Sequence, residues 1–492
     1  MRPDRFVYES YELDASGRRV LCTYTLGKRR FTEEVAFEPP WRSERPGRPE
    51  TKGDGERDGE RHGERSGERD GERDGERDAW DQAWESAGAD AAARILFLLA
   101  GISYYKTGAP PVVDLGDVAT SEEERAFLRA FYVEGLGEFA YRNGLDLTGL
   151  EVVGPDAGER RRARTVLRQG SPLVPFGAGI DSIVTADHVA RRARDTSLFV
   201  VSRAGDRFSA IEGAAAVTGL PIVRADRRID PSVLRSEEHG FLNGHVPVTG
   251  ILSAVAVVAA VLGGHDAVVM SNERSASVPT MWDGDRPVNH QWSKSAAFEA
   301  AFRRLLAGSL TPAPEYFSYL RARSELWVAR ELASLGRYHH VFRSCNRAFA
   351  IDPARRLDHW CGTCDKCCFV DLVLAPYLDA AQLSQIFGGR EPLSNAALSP
   401  KFRALVGTGD GPRPFECVGD EPESRAAAVL AAARPDRART ASLQALAEEV
   451  RAATARWRDP ASEEAALHQM LDASGGDFVP SRYRDAEDVA VG

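Results

Sequence analysis

The sequence predicts an α/β fold built on a parallel sheet, with a small α+β region before it and a cysteine-bearing helical region after it. Three observations predict this. From Leu173 onward, short apolar runs alternate with helical patterns: LVPF, Asp181 to Asp195, SLFVVS, Phe208 to Thr218, PIVRA, Val248 to Leu262 and DAVVMS. The runs are apolar along their length, as strands covered on both faces require. The chain of 492 residues is 43% hydrophobic and 28% charged, enough to fill a sizeable core.

Before the alternation, three runs (FVYESYELD, RRVLCTYTLG and RRFTEEVAF) are separated by turn residues and read as a small antiparallel sheet. Six copies of a Gly-Glu-Arg-x tetrapeptide follow, from Gly55 to Asp78. With a glycine every fourth residue and almost no apolar side chain, a disordered insertion over 42–78 is expected. Helical patterns resume at Ala79 to Tyr104 and Ser121 to Asn143. The expected units are therefore an N-terminal α+β region over 1–150, a nucleotide-binding α/β domain over 151–310, a helical cysteine region over 311–410 and a helical tail over 411–492. The tail, rich in alanine, arginine and glutamate at helical spacing, reads as packing or a surface helix and says nothing about chemistry.

The formal net charge of −10 argues against nucleic acid as the main partner. The N-terminus, MRPDRFVYESYELD, carries charge where a secretory signal needs an apolar core, and ILSAVAVVAAVLGG is too short to span a bilayer comfortably. A cytoplasmic protein with no membrane partner is expected. Five of the seven cysteines crowd between Cys345 and Cys368, unlike a spread disulfide framework.

Strands of a parallel sheet place ligands at their carboxyl ends, so Phe176 to Ser182, Ser202 to Arg203, Ala225 to Arg228 and Ser271 to Ser277 should line one rim. The first is the sharpest signal. Phe176-Gly177-Ala178-Gly179-Ile180-Asp181-Ser182 is a strand, a tight glycine turn and a helix start. Small residues there let backbone amides approach a phosphate, and the helix N-terminus adds partial positive charge. No Walker A pattern occurs. The dinucleotide fingerprint lacks its third glycine, replaced by Ser182, and has Arg203 where the acidic residue belongs. The loop is more similar to the Ser-Gly-Gly-x-Asp-Ser loop of PP-loop ATP pyrophosphatases, which have a parallel-sheet, HUP-like fold. Gly177 replaces its serine and Ala178 a glycine. The resemblance implies ATP, with Asp181 holding Mg²⁺ and Ser182 donating to phosphate.

Cys361, Cys364 and Cys367 stand at Cys-x-x-Cys-x-x-Cys spacing, with Cys345 sixteen residues upstream. Four thiolates so arranged suit a closed tetrahedral zinc site of structural type, although an iron–sulfur cluster could use the same ligands. Cys368 falls outside the set and reads as packing. Between loop and cysteines, SNERSASVPT and VNHQWSKSAAFE bring Glu273, Arg274, Asn289, His290, Ser293 and Lys294 to the rim; NGHVPVTG adds His245.

Taken together, Phe-Gly-x-Gly-x-Asp-Ser, Ser-Asn-Glu-Arg-Ser-Ala, Asn-His-Gln-x-Ser-Lys-Ser and Cys-Gly-x-Cys-x-Lys-Cys resemble the MurL family of ATP-dependent epimerases. The similarity runs from the N-terminal sheet to about Pro376, leaving out the Gly-Glu-Arg tract. It implies epimerisation of the terminal glutamate of UDP-N-acetylmuramoyl-L-alanyl-L-glutamate through an acyl-adenylate, with AMP and diphosphate released, for peptidoglycan synthesis. It also implies contact with the ligase that adds the L-glutamate. Glu273 or Asp181 would hold Mg²⁺, Arg274 and Lys294 would offset phosphate or carboxylate charge, and His290 or His245 would move the proton. Two other readings compete. One is another PP-loop adenylate-forming enzyme, like the queuosine-precursor enzyme or a tRNA-modifying ligase. The other is a non-catalytic nucleotide-binding zinc protein.

Overall fold

Alternate residues of the central strands enter two separate cores, which explains why their sequences lack a polar face. Val174, Val200, Val269 and Phe317 belong to one buried cluster; their neighbours Leu173, Phe199, Val268 and Tyr316 belong to another. The computed structural model describes residues 3–41, 79–158, 161–350, 352–409, 414–416, 418–454, 460–471 and 476–484. The Gly-Glu-Arg tract expected to be disordered lies outside the described residues.

The main sheet is built from β1 (Arg5–Asp14), β2 (Arg19–Leu26), β3 (Arg29–Trp41), β4 (Val112–Asp114), β5 (Glu151–Val153), β6 (Arg168–Pro175), β7 (Ser197–Arg203), β8 (Ile222–Arg228), β9 (His265–Met270) and β10 (Glu315–Ser318). Its order is β10-β9-β6-β7-β8-β3-β2-β1-β4-β5. The first five in that order are mutually parallel, and β1, β4 and β5 are parallel to one another. The antiparallel pairings are those of the N-terminal meander and its junction with β8. The fold is thus mixed α/β with a largely parallel sheet, and strands from both sides of position 150 share it.

One face carries α1 (Ala87–Ala100), α2 (Glu122–Gly135) and the buried α6 (Val248–Gly263), with α7 (Ala296–Ser309) beside them. The short α3 (Gly137–Asn143) follows α2 directly. The stretch Ala87–Tyr105 is long and apolar enough to cross a membrane, yet 83% of its apolar window is buried inside the protein; it is a core helix. The other face carries α4 (Ile180–Ala190), α5 (Ser209–Thr218) and α8 (Glu325–Ser334), followed by α9 (Asp365–Leu374) and, further along, α10 (Glu421–Ala432). Side-chain caps fix several starts: Ser121 and Glu124 form a capping box on α2, Ser295 caps α7, Ser324 caps α8 and Asp420 caps α10.

Candidate functional site

Chain order reverses beside β6: the chain continues through α4 to β7 on one side, while β9 pairs on the other. Such a reversal opens a crevice at the strands' carboxyl ends. The glycine turn after β6 and the segment 271–277 after β9 both lie there. The second is pinned to the chain leaving β10, since the Asn272 amide donates to Ser318 Oγ at 2.6 Å and the Arg274 amide to the Arg323 carbonyl at 3.1 Å.

In the glycine turn, Phe176 is buried and its amide donates to the Phe199 carbonyl at 2.8 Å. Gly177 borders open space, so backbone is approachable there. Ala178 is fully buried with φ of +61°, a region where an L side chain costs about 1–2 kcal/mol. Gly179 is the extended residue ahead of α4, and Ser182 Oγ donates back to its carbonyl at 3.1 Å. The Arg343 amide donates to the Ala178 carbonyl at 3.0 Å, so the chain entering Cys345 lies directly on the turn.

Asp181 and Glu273 share this end of the crevice with two carboxylates that the sequence did not single out, Glu325 and Glu423. Ser275 Oγ lies 3.4 Å from Glu273 Oε1 and 3.3 Å from Glu325 Oε1. Burial pushes the Glu325 carboxyl well above its ordinary range, and Glu273, Asp181 and Glu423 add to this while Lys366 opposes it. Burial, then Asp420, pushes Glu423 up to about 8, against Arg274. Glu423 accepts the Leu326 amide at 3.2 Å, so the C-terminal tail, read as packing or a surface helix, delivers a carboxylate to the site. A divalent cation is the partner that such crowded carboxyls suit. Arg274 itself turns toward the tail, 3.9 Å from Glu423 and 3.4 Å from the Met470 carbonyl.

The other end of the site is formed by imidazoles. The rings of His245 and His290 stand with centroids 4.2 Å apart. His290 Nδ1 hydrogen-bonds Glu138 Oε2, and Arg142 Nε donates to the other Glu138 oxygen at 2.6 Å. Glu138 lies on α3, far from both histidines in sequence, and nothing in its local pattern marked it. Burial alone would raise its carboxyl; the His290 contact, then Arg142, outweighs burial and holds it below the ordinary value. His245 is pushed down to about 4, first by burial and then by His290, with Lys294 and Lys106 adding to the effect and Glu138 opposing it. The donors of Glu138, His245 and His290 all lie within 4.8 Å of one another, close enough to hold a metal by distance alone. The neighbouring charges of Lys106, Lys294 and Arg142 disfavour a divalent cation there.

Buried Arg321 joins the two ends. It donates to the Glu273 carbonyl at 3.0 Å and the Lys294 carbonyl at 2.6 Å, and it is paired with buried Glu299 at 2.8 Å. Lys294 Nζ donates to Gln291 at 3.1 Å, and Asn289 Nδ2 to the Ala276 carbonyl at 3.0 Å, packing the His290 segment against 274–277. Farther along the rim, Arg227 is committed to a buried pair with Glu33 at 2.7 Å, so that part of the expected rim is structural.

The sulfurs of Cys345, Cys361, Cys364 and Cys367 lie within 4.8 Å of one another, with Cys361–Cys367 at 3.6 Å and Cys364–Cys367 at 3.4 Å. Thiolates on a tetrahedral metal with bonds of about 2.3 Å stand ~3.8 Å apart, so the set fits zinc. The amides of Cys361, Cys364 and Cys367 donate to sulfurs at 3.3–3.4 Å. Gly362 has φ of +68°, and a Cβ there would lie 2.4 Å from the Arg390 carbonyl; only glycine fits. Cys368 is buried outside the set, as expected.

A parallel-rich sheet whose chain reversal gathers a glycine turn, buried acids and a carboxylate-bound histidine defines an α/β enzyme. The chain belongs to the MurL family: residues 73–319 match the MurL N-terminal domain and residues 341–461 the MurL C-terminal domain. Three relatives are each named UDP-N-acetyl-alpha-D-muramoyl-L-alanyl-L-glutamate epimerase. That of Xanthomonas oryzae pv. oryzae is 40% identical over 355 residues, 71% of this chain and 77% of the relative. Those of Salinispora tropica and a Micromonospora species are 35% and 34% identical over 99% of this chain, covering 96% and 98% of their own lengths. No solved structure matches the chain. The protein is accordingly an enzyme of the isomerase class, an epimerase, and the non-catalytic alternative is set aside.

Proposed function

We propose that the enzyme inverts the terminal glutamate of UDP-N-acetylmuramoyl-L-alanyl-L-glutamate in an ATP-dependent reaction that serves peptidoglycan synthesis. The observation that carries this is the pairing, at one chain reversal, of a phosphate-type glycine turn with a histidine bound to a carboxylate. Similarity to the three named epimerases, two of them over nearly the whole chain, supports the choice of substrate.

The chemistry explains why both ends are needed. The α-hydrogen of a glutamate carboxylate is scarcely acidic, because its removal would build a second negative charge beside the first. Joining that carboxylate to AMP, with diphosphate leaving, neutralises it and acidifies the Cα–H. After inversion, water would cleave the acyl–phosphate bond, releasing AMP and the free carboxylate. Phe176, Gly177, Ala178, Gly179 and Ser182 would bind ATP through backbone amides and the Ser182 hydroxyl, aided by the N-terminus of α4. Asp181 and Glu273 would hold Mg²⁺, with Glu325 beside them; the ion would offset phosphate charge. Arg274 and Lys294 would add positive charge at the two ends. His290 or His245 would move the proton. The rings touch, whereas a Cα held between two bases needs about 6–7 Å between them, at ~3–3.5 Å on each side. The two histidines therefore serve one face of the substrate. Cys345, Cys361, Cys364 and Cys367 would hold structural zinc, fastening the chain that rests on the glycine turn. The ligase that adds L-glutamate would supply the substrate.

The test is incubation with ATP, Mg²⁺ and the UDP-linked dipeptide, followed by assay of AMP and of glutamate chirality after acid hydrolysis. Substrate-dependent AMP with D-glutamate is expected. AMP without D-glutamate would point to another adenylate-forming reaction, and neither product would overturn the reading.

A further inference from the structure

We propose that Glu138 is a positioning residue for the proton-transfer step: its carboxylate orients His290, which exchanges the hydrogen at the substrate Cα. This rests on the epimerase reading above. Glu138 is buried at the site's imidazole end, with one oxygen on His290 Nδ1 and the other on Arg142 Nε at 2.6 Å. A carboxylate so anchored keeps the His290 proton on Nδ1, so that Nε2 is the nitrogen that takes a proton. It also stabilises the imidazolium that then forms.

The groups around Glu138 and the two imidazoles set the division of labour. They are Glu138 and Arg142 from α3, His245 from the chain before α6, Lys294 from the chain before α7, and Lys106 from the chain after α1. Lys106 Nζ is itself tied to Asn243 at 2.8 Å and the Gly244 carbonyl at 3.0 Å, beside His245. Among these, Glu138 is the anion. It therefore selects which of two touching rings carries charge: His290 is stabilised as a cation, and His245 is held neutral beside it. Environments that separate two titratable neighbours in this way mark an acid–base assignment.

In the step itself the Cα–H bond breaks and its electron pair enters the adenylated acyl group as an enolate. The proton passes to His290 Nε2. A separate acid protonates Cα on the opposite face, and His290 returns its proton to water. His245, on the same face as His290, is not that acid.

The experiment follows two half-reactions in parallel. Pyrophosphate exchange into ATP reads adenylation, and deuterium incorporation at Cα in D₂O reads proton transfer. Glu138→Gln should lower deuterium incorporation at least 100-fold more than it lowers exchange. Losing the anion lowers the His290 pKa, so the acid limb of the pH–rate profile should move to lower pH. Glu138→Asp should restore part of the rate, and the limb with it. If Glu138 acts through His290, adding Glu138→Gln to His290→Asn should cost nothing further.

Equal losses in both half-reactions, an unshifted limb, or additive losses in the double variant would overturn the proposal. So would a stoichiometric divalent metal that disappears in His290→Asn. Should Glu138→Gln fail to fold, the limb of Glu138→Asp decides. If the unaltered enzyme incorporates deuterium but shows no exchange, adenylation fails as a reading while Glu138 is still judged on deuterium alone.

Discussion

The two ends of the site are electrostatic opposites. Around the glycine turn, four carboxyls (Asp181, Glu273, Glu325 and Glu423) crowd together, two of them (Glu325 and Glu423) driven toward their protonated forms by burial and then by neighbouring carboxylates. At the other end, two imidazoles share their surroundings with Lys106, Lys294 and Arg142, and one carboxylate, Glu138, balances them. In the proposed reaction, activating a carboxylate with ATP would call for a cation site, and withdrawing a proton from the activated product would call for a base whose charged form is stabilised. Neither environment would serve the other task. Keeping them apart while in register falls to Arg321, whose guanidinium bridges the Glu273 and Lys294 carbonyls.

The comparison breaks most completely at Asp181. Asp181→Ala should lower AMP formation by about 10³-fold or more, since phosphate charge in the transition state would lose its counter-ion support. It should not lower the metal-free melting temperature, because it removes a half-buried acid that repels buried Glu325. A variant that loses activity and stability together would mean that Asp181 is structural.

Arg321→Ala attacks the bridge and should do the reverse. Removing one partner of a buried pair strands Glu299, which is 1% exposed, and two carbonyls, at a cost of roughly 3–5 kcal/mol. Denaturant unfolding would read this; a loss below about 1 kcal/mol would show that the two ends are held by other contacts.

Much of this was legible in the sequence, and what was not shares one cause. The strands and helices of residues 173–271 follow from local period, because strands buried on both faces write continuous apolar runs. Asp181, Glu273, His290 and the cysteines stood in short motifs with turn or ligand spacing. Glu138, Arg321, Glu325 and Glu423 had no such mark. Glu138 sits in GLGEFAYRN as an ordinary polar position of a short helix, yet its partner lies 152 residues away. Glu325 and Glu423 fall in the first turns of α8 and α10, where an acid reads as favouring the helix dipole. Likewise, the pairing of β3 with β8 joins the meander to the main sheet across a long stretch of chain that local pattern cannot see.

A smaller effect tests the imidazole end alone. His245 is neutral in the folded protein, with its pKa lowered to about 4, so unfolding below its ordinary value takes up a proton. That contribution is complete above about pH 6.5 and is lost as pH falls toward 4. In His245→Gln it is absent at every pH. The difference in melting temperature between the two proteins should therefore shrink steadily from pH 7 to pH 5. A constant difference would mean that His245 is not held neutral. Buried His265, also near 4, keeps some acid sensitivity in both.

The smallest effect is expected where the loop departs from its motif. Ala178 adopts a left-handed conformation, which costs about 1–2 kcal/mol that glycine would not incur. Its methyl group is fully buried, worth ~0.8 kcal/mol. Glycine would also surrender roughly 0.5–1 kcal/mol more chain entropy on folding. These terms nearly cancel, so Ala178→Gly should change unfolding free energy by less than about 1 kcal/mol and leave AMP formation intact. A loss above about 2 kcal/mol would mean that the methyl group is a packing anchor for the first turn of α4. The turn would then depend on its apolar neighbours more than on backbone freedom, and the carboxylate end would rest on the core beneath it rather than on the loop's own conformation.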